Sequence, residues 1–460
     1  MHDTEPNFQE ASHQETIFVQ FENIKNLINE EKLDEAKILL LELHPADLAD
    51  LIDNSSAEIN YTIFKLIEKE FDPETLVLLS PRSKTWALEA YPTPVLADFV
   101  TNLTAEDSID FFTDIDDEVK NEILELVPEE KRLHILEGFN YPEGSAGRVM
   151  AKKFINFYDH WTVGQAIDFI RKNDDAPENF HSAVIVNTKN KPVGTIALSM
   201  LLKQSRNELL KNVMNDDLKI AETLTNLEDL SYLFKHYALT VVPVINKAGK
   251  IVGTISIDNM VYIIEEQAED AMLHLGGVYE GGDIYETFLI TAKQRFPWLF
   301  INLITACLTA IVINYFGPTI AKIVALASLM PIVASMGGNA GTQTMTVTIM
   351  AITNKDVTKI NNIKIVLKEL LSCGINGIAF ALLGAGMVLM LFGDLLLAQI
   401  FATAVVINFI LGGILGSSIP LILNRLKMDP APSSGVIVNA LTDSCGFLIF
   451  LGLAKLILIT

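Results

Sequence analysis

The chain has 460 residues, a formal net charge of −23 and a positive mean hydropathy of +0.33. This length exceeds one ordinary domain, so several domains are expected. Acidic and apolar residues are separated along the chain, because residues 1–286 carry a net −28 and residues 287–460 carry +5. The acidic surface of the first part repels nucleic acid and attracts cations, which excludes nucleic acid as a partner.

The N-terminal sequence is polar and acidic and reads MHDTEPNFQEASHQET. It lacks the basic and apolar regions of a signal peptide, so we expect residues 1–16 to be a disordered tail and the acidic part to stay in the cytoplasm. The three cysteines, Cys307, Cys373 and Cys445, all lie in the apolar part. They are interpreted as small core residues rather than as a disulfide framework.

Residues 17–140 show helical periodicity with many helix starts, among them HPADLADLI and TPVLADFVTNL. A Pro, Asp, Ser or Thr followed by an acidic residue and Leu is typical of helix N-termini. Many short helices of this kind predict an acidic, all-α N-domain built as a helical superhelix.

An internal repeat follows, in which HSAVIVNTKNKPVGTI (181–196) aligns with TVVPVINKAGKIVGTI (240–255) and places Gly194 and Gly253 59 residues apart. Each copy indicates a strand, a polar turn and a second strand, preceded by a helix. We therefore predict two α/β domains, at 141–208 and 209–264, that pack as a pair.

A helical connector is predicted over residues 265–284. Its acidic side chains form a stripe of Glu265, Glu266, Glu269 and Asp270. Like charges at this spacing repel one another. A divalent cation between the stripe and the membrane part would relieve the repulsion and would link cation concentration to opening.

Residues 285–460 are predicted to form an all-α domain with five transmembrane helices, since five apolar segments are long enough to cross about 30 Å of hydrocarbon. The segments are Trp298–Phe316, Ile323–Ile352, Leu370–Phe392, Leu395–Leu423 and Val436–Ile459. The Lys and Arg residues concentrate in alternate loops, which predicts a cell-membrane protein with a cytoplasmic N-terminus and an external C-terminus.

The second segment has an unusual interior, MPIVASMGGNAGTQTMTVT, with residues that face lipid poorly. Gly337 and Gly341 form a G-x-x-x-G pattern that lets another helix approach closely, and Gly412 and Gly416 repeat it in the fourth segment. Pro331 and the glycines are expected to loosen the backbone. A helix contact face and a pore lining are compatible here, and we expect both.

Asp443 places a carboxylate in the otherwise apolar fifth segment, at a cost of roughly 2.5–3.5 kcal/mol. A structural ion pair is one explanation, but the other segments offer no Lys or Arg at that depth, and Lys455 lies about three turns away. Two explanations remain: Asp443 is protonated, or it faces water and a cation. We favour the second. Asn439 lies on the same helix face, and such oxygen ligands suit Mg²⁺. A single carboxylate supplies little negative charge for a divalent ion, so we expect a dimer in which two copies of Asp443 bind it.

The paired repeat resembles tandem CBS domains, which are regulatory ligand-binding modules. In that family a Gly-x-x-Ser/Thr-x-x-Asp run contacts nucleotide ribose, and Gly253-Thr-Ile-Ser-Ile-Asp258 resembles it with one residue fewer between Ser256 and the acid, which makes Asp258 the implied cofactor-binding residue. The first copy has Ser199 in place of the Asp. ATP is therefore a candidate ligand at one cleft. Strand packing with helix capping by Asp258 is an equally open interpretation.

The whole chain resembles the MgtE family of magnesium channels. The resemblance rests on YPEGSAGRVM (141–150), PIVASMGGNAGTQ (331–343), LKEL (367–370) and MDPAPSSGVIVNALTDSCG (428–446). It implies a homodimer in the lipid bilayer, with an acidic helical N-domain, two CBS domains, a plug-like connecting helix and five transmembrane helices. It also implies that Mg²⁺, with Mn²⁺ and Co²⁺ as further candidates, permeates a pore on the dimer axis and closes it from the cytosol.

The resemblance also implies roles for single residues. Asp443 is the pore acid, and Asn439 occupies the main-chain filter position. The implied pore lining is Asn339, Gly337, Gly338 and Gly435, and the implied further metal-binding residues are Asp98, Glu228, Asp258, Asp270 and Asp429.

Two other functions are weighed against a channel. A secondary transporter would exchange a divalent cation for Na⁺ or H⁺, but the sequence shows no inverted repeat to support it. An intramembrane aspartyl protease would need Asp394 beside Asp443, and Asp394 is predicted in an outer loop. We therefore predict a channel and not an enzyme.

Overall fold

The computed structural model describes residues 13–113, 115–173, 176–177, 180–278, 288–355 and 362–458. Its chain divides into two compact units, Met1–Ile263 and Ile264–Thr460. Residues 1–12 of the predicted tail lie outside the described residues. The first helix begins at His13, so the last four residues of that predicted tail are helical.

The N-domain consists of short helices, as its repeated helix starts predict. They are α1 (His13–Asn29), α2 (Leu33–Leu41), α3 (Pro45–Asp53), α4 (Ala57–Leu66), α5 (Glu74–Leu78), α6 (Pro81–Ala90), α7 (Thr93–Asn102), α8 (Ala105–Phe111), α9 (Asp117–Leu126) and α10 (Glu129–Phe139). Ser56, Ser80 and Thr104 cap α4, α6 and α8 through their hydroxyl oxygens. The core is continuous from α1 to α10, which confirms the all-α prediction.

Glu106 lies in the first turn of α8 and is half-buried. The pKa of its carboxyl group is raised to about 7, chiefly by burial. The charge of Asp107 also acts to raise it, whereas a backbone hydrogen bond and the charge of Lys131 act to lower it. The ammonium group of Lys131 donates to the carbonyl oxygen of Leu103, and burial lowers the pKa of this lysine. The N-domain therefore holds a carboxyl group that is still partly protonated at neutral pH.

Replacing Glu106 by Gln is expected to stabilise the protein above pH 7 by about 1–3 kcal/mol. The pKa of Glu106 is higher in the folded state than its ordinary 4.5, so the unfolded chain releases the proton first. The glutamate therefore costs stability progressively as pH rises from about 4.5 to about 7. Melting temperatures of both proteins between pH 5 and 8 test this, with the exposed Glu129→Gln as the control. Curves for wild type and Glu106→Gln that stay parallel over this range would contradict it.

The repeat forms two three-stranded sheets of the same topology. The first contains β1 (Asn156–Tyr158), β2 (Ser182–Val186) and β3 (Pro192–Ala197), and the second contains β4 (Ala221–Glu222), β5 (Val241–Ile245) and β6 (Ile251–Ser256). In each sheet the first pair is parallel and the second is antiparallel. The helices α11 (Ala146–Val149), α12 (Val163–Lys172), α13 (Leu198–Lys203), α14 (Leu210–Val213) and α15 (Leu227–Tyr237) complete the pair. The predicted α/β class is confirmed.

The repeated glycines mark an exchange of segments between the two sheets. Ala151, which precedes the first sheet, pairs with Thr254 of β6, and Asn215, which precedes the second, pairs with Thr195 of β3. A Cβ atom at Gly253 would lie 2.9 Å from the Ala151 carbonyl oxygen, and one at Gly194 would lie 2.8 Å from that of Asn215. Each glycine is therefore needed where a backbone from the other repeat crosses closely.

Helix α16 (Ile257–Leu275) starts directly after β6, eight residues before the predicted connector. The predicted acidic stripe, from Glu265 to Asp270, lies on this helix and is exposed. Residues 279–287, which include the predicted end of the connector, lie outside the described residues.

The second unit contains long helices, and most of them extend beyond the predicted spans at the ends that carry Lys and Arg. They are α17 (Phe288–Tyr315), the short α18 (Gly317–Lys322), α19 (Ala325–Thr353), α20 (Asn362–Phe392), α21 (Leu395–Arg425) and α22 (Pro430–Leu458). Hydropathy identifies only the apolar part of a helix. Residues with long basic side chains can extend the helix further, because their charged ends reach the membrane–water interface. Within the described residues, α17, α20, α21 and α22 are apolar and long enough to cross a membrane.

Helix α19 is equally long but less apolar, because it carries exposed polar side chains such as Asn339, Thr342 and Gln343. It remains one continuous helix through Pro331 and the glycines, so these residues do not interrupt it. Pro331 is the seventh residue of α19, so it removes one backbone hydrogen bond, to the carbonyl oxygen of Ala327, without ending the helix. We keep α19 as the predicted second span, since it packs in one core with the other long helices.

The two G-x-x-x-G patterns face each other, as helix contact surfaces should. A Cβ atom at Gly412 would lie 2.7 Å from the Gly337 carbonyl oxygen, and one at Gly416 would lie 2.3 Å from that of Gly341. The backbones of α19 and α21 therefore approach more closely than side chains allow. The predicted contact face is confirmed.

Candidate cation site in the membrane bundle

Asp443 lies on α22 opposite Gly338 of α19. A Cβ atom at Gly338 would lie 3.7 Å from Asp443 Oδ1 and 3.9 Å from Asn439 Oδ1. The two side chains thus share one face of α22, as their spacing predicts. Asp443 is half-buried and Asn439 is exposed in the single chain. A carboxylate and an amide oxygen are thereby held beside a glycine that leaves room in front of them.

Thr342 and Asn339 extend this polar face along α19. The hydroxyl of Thr342 donates to Asn439 Oδ1 at 3.3 Å, and Asn339 is exposed. The main-chain carbonyl of Asn439, assigned to the filter by resemblance, accepts the hydroxyl of Thr442 at 3.1 Å. Of the two oxygens of Asn439, it is therefore the side-chain Oδ1, and not the main-chain carbonyl oxygen, that lies on this polar face.

No basic side chain among the described residues pairs with Asp443. Lys455 has other neighbours, since its Nζ lies 5.3 Å from the ring centroid of Tyr315 and 5.9 Å from that of Phe316. Such cation–π contacts stabilise an ammonium group without a carboxylate. The structural ion pair considered for Asp443 is therefore not formed in the part of the chain that is described.

Two of the predicted pore-lining glycines lie differently from Gly338. Gly337 is buried against Asn408 of α21, so we leave it out of the lining proposed below. A Cβ atom at Gly435 would meet only Met345 Cε, at 3.9 Å, which leaves space beside the start of α22.

Asn408 belongs to this site although the sequence interpretation missed it. It is completely buried on α21, and its Nδ2 donates to the Val333 carbonyl oxygen of α19 at 2.8 Å. A Cβ atom at Gly337 would lie 2.0 Å from this nitrogen and one at Gly446 of α22 would lie 2.7 Å from it. Three helices therefore meet at one amide. Its spacing of four from Gly412 was the available signal.

The predicted Asp429 lies just before α22. It caps this helix by accepting from Ala431 N at 3.0 Å, and its other oxygen lies 3.6 Å from His274 Nδ1 at the end of α16. Asp394, considered above as a catalytic partner of Asp443, similarly caps α21 through Leu396 N at 2.9 Å. Both carboxylates thus already stabilise helix N-termini.

The other predicted metal-binding acids, Asp98 on α7, Glu228 on α15, and Asp258 and Asp270 on α16, are all exposed. Asp258 Oδ2 lies 3.7 Å from His181 Nε2, close to the hydroxyl pair of Ser182 and Thr240 at 2.9 Å. Within the described ranges, no three His, Cys, Asp or Glu side chains are close enough together to hold a metal ion. The single chain does not assemble these acids into a site.

Comparisons with known proteins match successive parts of the chain. The model of the MgtE intracellular N domain matches residues 43–144, and the CBS model matches 146–207 and 210–266. The MgtE model, described as a divalent cation transporter, matches residues 330–453, which contain the polar face of α19 and α22. The chain belongs to the MgtE family.

Curated relatives are named as transporters of the MgtE type. The magnesium transporter MgtE of Thermus thermophilus is 26% identical over 91% of this chain and 94% of its own length. That of Bacillus subtilis is 27% identical over 71% of this chain and 72% of its own. A solved cytosolic domain of the Mg²⁺ channel MgtE in complex with ATP has a TM-score of 0.49 and 23% identity, covering 53% of this chain and 99% of that one.

Membership of the MgtE family confirms several predictions. The helical N-domain, the CBS pair and the apolar C-terminal helices agree with it, and the chain is a membrane transporter rather than an enzyme. The individual site residues and the domain boundaries stay predictions.

Proposed function

We propose that this chain is a magnesium channel in which α19 and α22 line the conduction path and Asp443 binds the permeating ion. Magnesium transport follows from its membership of the MgtE family. The single observation that supports a path at this place is the convergence of Asp443, Asn439 and Thr342 beside Gly338, within an apolar bundle and without a basic partner in the described residues.

The donor set at this face suits Mg²⁺. Carboxylate and amide oxygens are its preferred protein ligands, and Mg²⁺ gives up its hydration water reluctantly. Gly338 and the exposed Asn439 leave open space in front of Asp443. We therefore propose that Asp443 holds a largely hydrated ion, which keeps binding weak enough for release.

We further propose a homodimer. The polar face is uncovered in one chain, because Asn339, Thr342 and Asn439 are all exposed. Lipid cannot satisfy these groups. A second copy around a two-fold axis would enclose the face and supply a second Asp443, which doubles the negative charge offered to the ion.

Cytosolic Mg²⁺ is proposed to close the channel. Residues 1–286 carry a net −28, and the stripe on α16 places exposed acids at i, i+1, i+4 and i+5. Bound Mg²⁺ would remove their repulsion and favour one arrangement of the connector. Asp98, Glu228, Asp258 and Asp270 are the proposed sensing residues, and Asp429 is a further proposed metal-binding residue at the start of α22. The fraction of closed channels would then rise with the cytosolic Mg²⁺ concentration.

Orientation and nucleotide binding complete the proposal. We place the N-terminus in the cytoplasm and the C-terminus outside the cell membrane. Lys293 and Arg295 precede the first span, and Arg425 and Lys427 precede the fifth, so five alternating spans would bring these basic residues to one side. ATP at the CBS cleft beside Asp258 stays a prediction, and so does permeation by Mn²⁺ and Co²⁺.

A liposome flux assay tests conduction and closure together. The purified full chain is reconstituted, and Mg²⁺ influx is recorded with an enclosed dye, with and without millimolar Mg²⁺ on the side of the soluble domains. We expect flux that follows the Mg²⁺ gradient and membrane potential, and that falls when Mg²⁺ bathes the soluble domains. Flux that requires an opposing Na⁺ or H⁺ gradient would support the coupled transporter instead.

A further inference from the structure

Asn408 is the one polar side chain in the described middle of α21 that reaches across to another helix through its amide. The amide orientation is fixed by chemistry, because turning it over would place Oδ1 against the Val333 carbonyl oxygen. The side chain fills the notch that Gly337 of α19 and Gly446 of α22 leave open. It therefore sets how closely α19, α21 and α22 approach at this level.

The contact between Asn408, Gly337 and Gly446 lies next to the candidate cation site. Gly337 and Gly338 are consecutive, and the first contacts Asn408 while the second faces Asp443. On α22, Gly446 lies three residues after Asp443, about one turn along the helix. A change in the contact at Asn408 should therefore change the distance between Gly338 and Asp443.

The amide is also only half satisfied. Its Oδ1 is buried and has no hydrogen-bond partner in the described residues. An unpaired buried carbonyl oxygen costs free energy, so an apolar residue of similar size would serve stability at least as well. Such a local cost is typical of positions that serve function rather than stability.

We propose that Asn408 is a positioning residue for Asp443, which fixes the separation of α19 and α22 and thereby the discrimination between Mg²⁺ and other divalent ions. The inference rests on the proposed function of Asp443 as the ion-binding group. Asn408 itself is buried and does not touch the ion.

The test uses three variants of the full chain in liposomes: Asn408→Ala, Gly446→Ala and the double variant. Fluxes of Mg²⁺ and Mn²⁺, the concentrations for half-maximal flux and the melting temperature are measured for each. The matched control is Ser417→Ala, since Ser417 is equally buried on α21 but donates within its own helix to the Gly413 carbonyl oxygen at 2.7 Å.

Asn408→Ala is expected to change the ratio of Mg²⁺ to Mn²⁺ flux by about three- to tenfold, the range that interhelical hydrogen bonds in membranes support. Gly446→Ala should change it as well, because its Cβ atom would lie 2.7 Å from Asn408 Nδ2. In the double variant this collision is absent, so the two effects should not add. Ser417→Ala should keep the wild-type ratio.

Two results would overturn the inference. One is a wild-type flux ratio and half-maximal concentration in Asn408→Ala with only the melting temperature lowered, which would leave a purely structural role. The other is an equal effect of Gly446→Ala with and without Asn408. In both cases the wild-type protein still conducts Mg²⁺, whereas absence of flux in the wild type would refute the proposed function instead.

Discussion

Replacing Asp443 by Asn is expected to reduce Mg²⁺ flux through the reconstituted protein by about a hundredfold, which corresponds to about 2.7 kcal/mol of lost ion stabilisation. Asparagine keeps the size of the side chain beside Gly338 and removes only its charge. In the proposed dimer both carboxylates are lost, so a hydrated divalent ion would meet amide oxygens alone. The liposome assay described above measures the effect.

Asp394→Asn is the matched control for this substitution. It also neutralises an aspartate of the membrane unit, but Asp394 caps α21, and Asn is an equally good capping residue. We expect wild-type flux from it. Normal flux from Asp443→Asn would refute the channel mechanism, provided that both variants elute and melt as the wild type does.

Neutralising four proposed sensing acids is expected to leave the channel open at cytosolic Mg²⁺ concentrations that close the wild type. The variant combines Asp98→Asn, Glu228→Gln, Asp258→Asn and Asp270→Asn. All four side chains are exposed, so their loss should affect cation binding more than folding. We expect the closing concentration to rise by about tenfold or more, as for a loss of 1.4 kcal/mol or more of Mg²⁺ binding.

A second quadruple variant separates specific binding from a general change in charge. Glu122→Gln, Glu125→Gln, Glu129→Gln and Glu130→Gln remove the same charge from exposed positions on α9 and α10. This control should close at nearly the wild-type concentration. An equal shift in both variants would show that surface potential, and not these sensing residues, responds to Mg²⁺.

The architecture could be predicted because its signals are local. The 59-residue spacing of Gly194 and Gly253 identified two paired α/β repeats, and runs of apolar residues identified the long helices of the membrane unit. The paired G-x-x-x-G patterns predicted a close contact, which the structure places between α19 and α21. Asp443 and Asn439 could be grouped because residues four apart share a helix face.

The contacts between distant segments could not be predicted. Nothing in the sequence shows that Ala151 crosses to β6 and Asn215 to β3, since these pairings join segments from different repeats. The environment of Glu106 likewise depends on packing against other helices, and it raises the pKa of a side chain that looks like one more surface acid. Lys455 turned out to contact aromatic rings rather than a carboxylate.

The sequence by itself determined the class of each domain, the family and the candidate ion-binding acid, Asp443. Helix periodicity, the length of apolar segments and a charge within an apolar run are all properties of consecutive residues. Only the tertiary structure decided which side of α19 faces α22, that Gly337 contacts Asn408 while Gly338 faces Asp443, and that three helices meet at one buried amide. Such decisions depend on the packing of helices far apart in sequence, where a displacement of a fraction of one turn exchanges one neighbour for another.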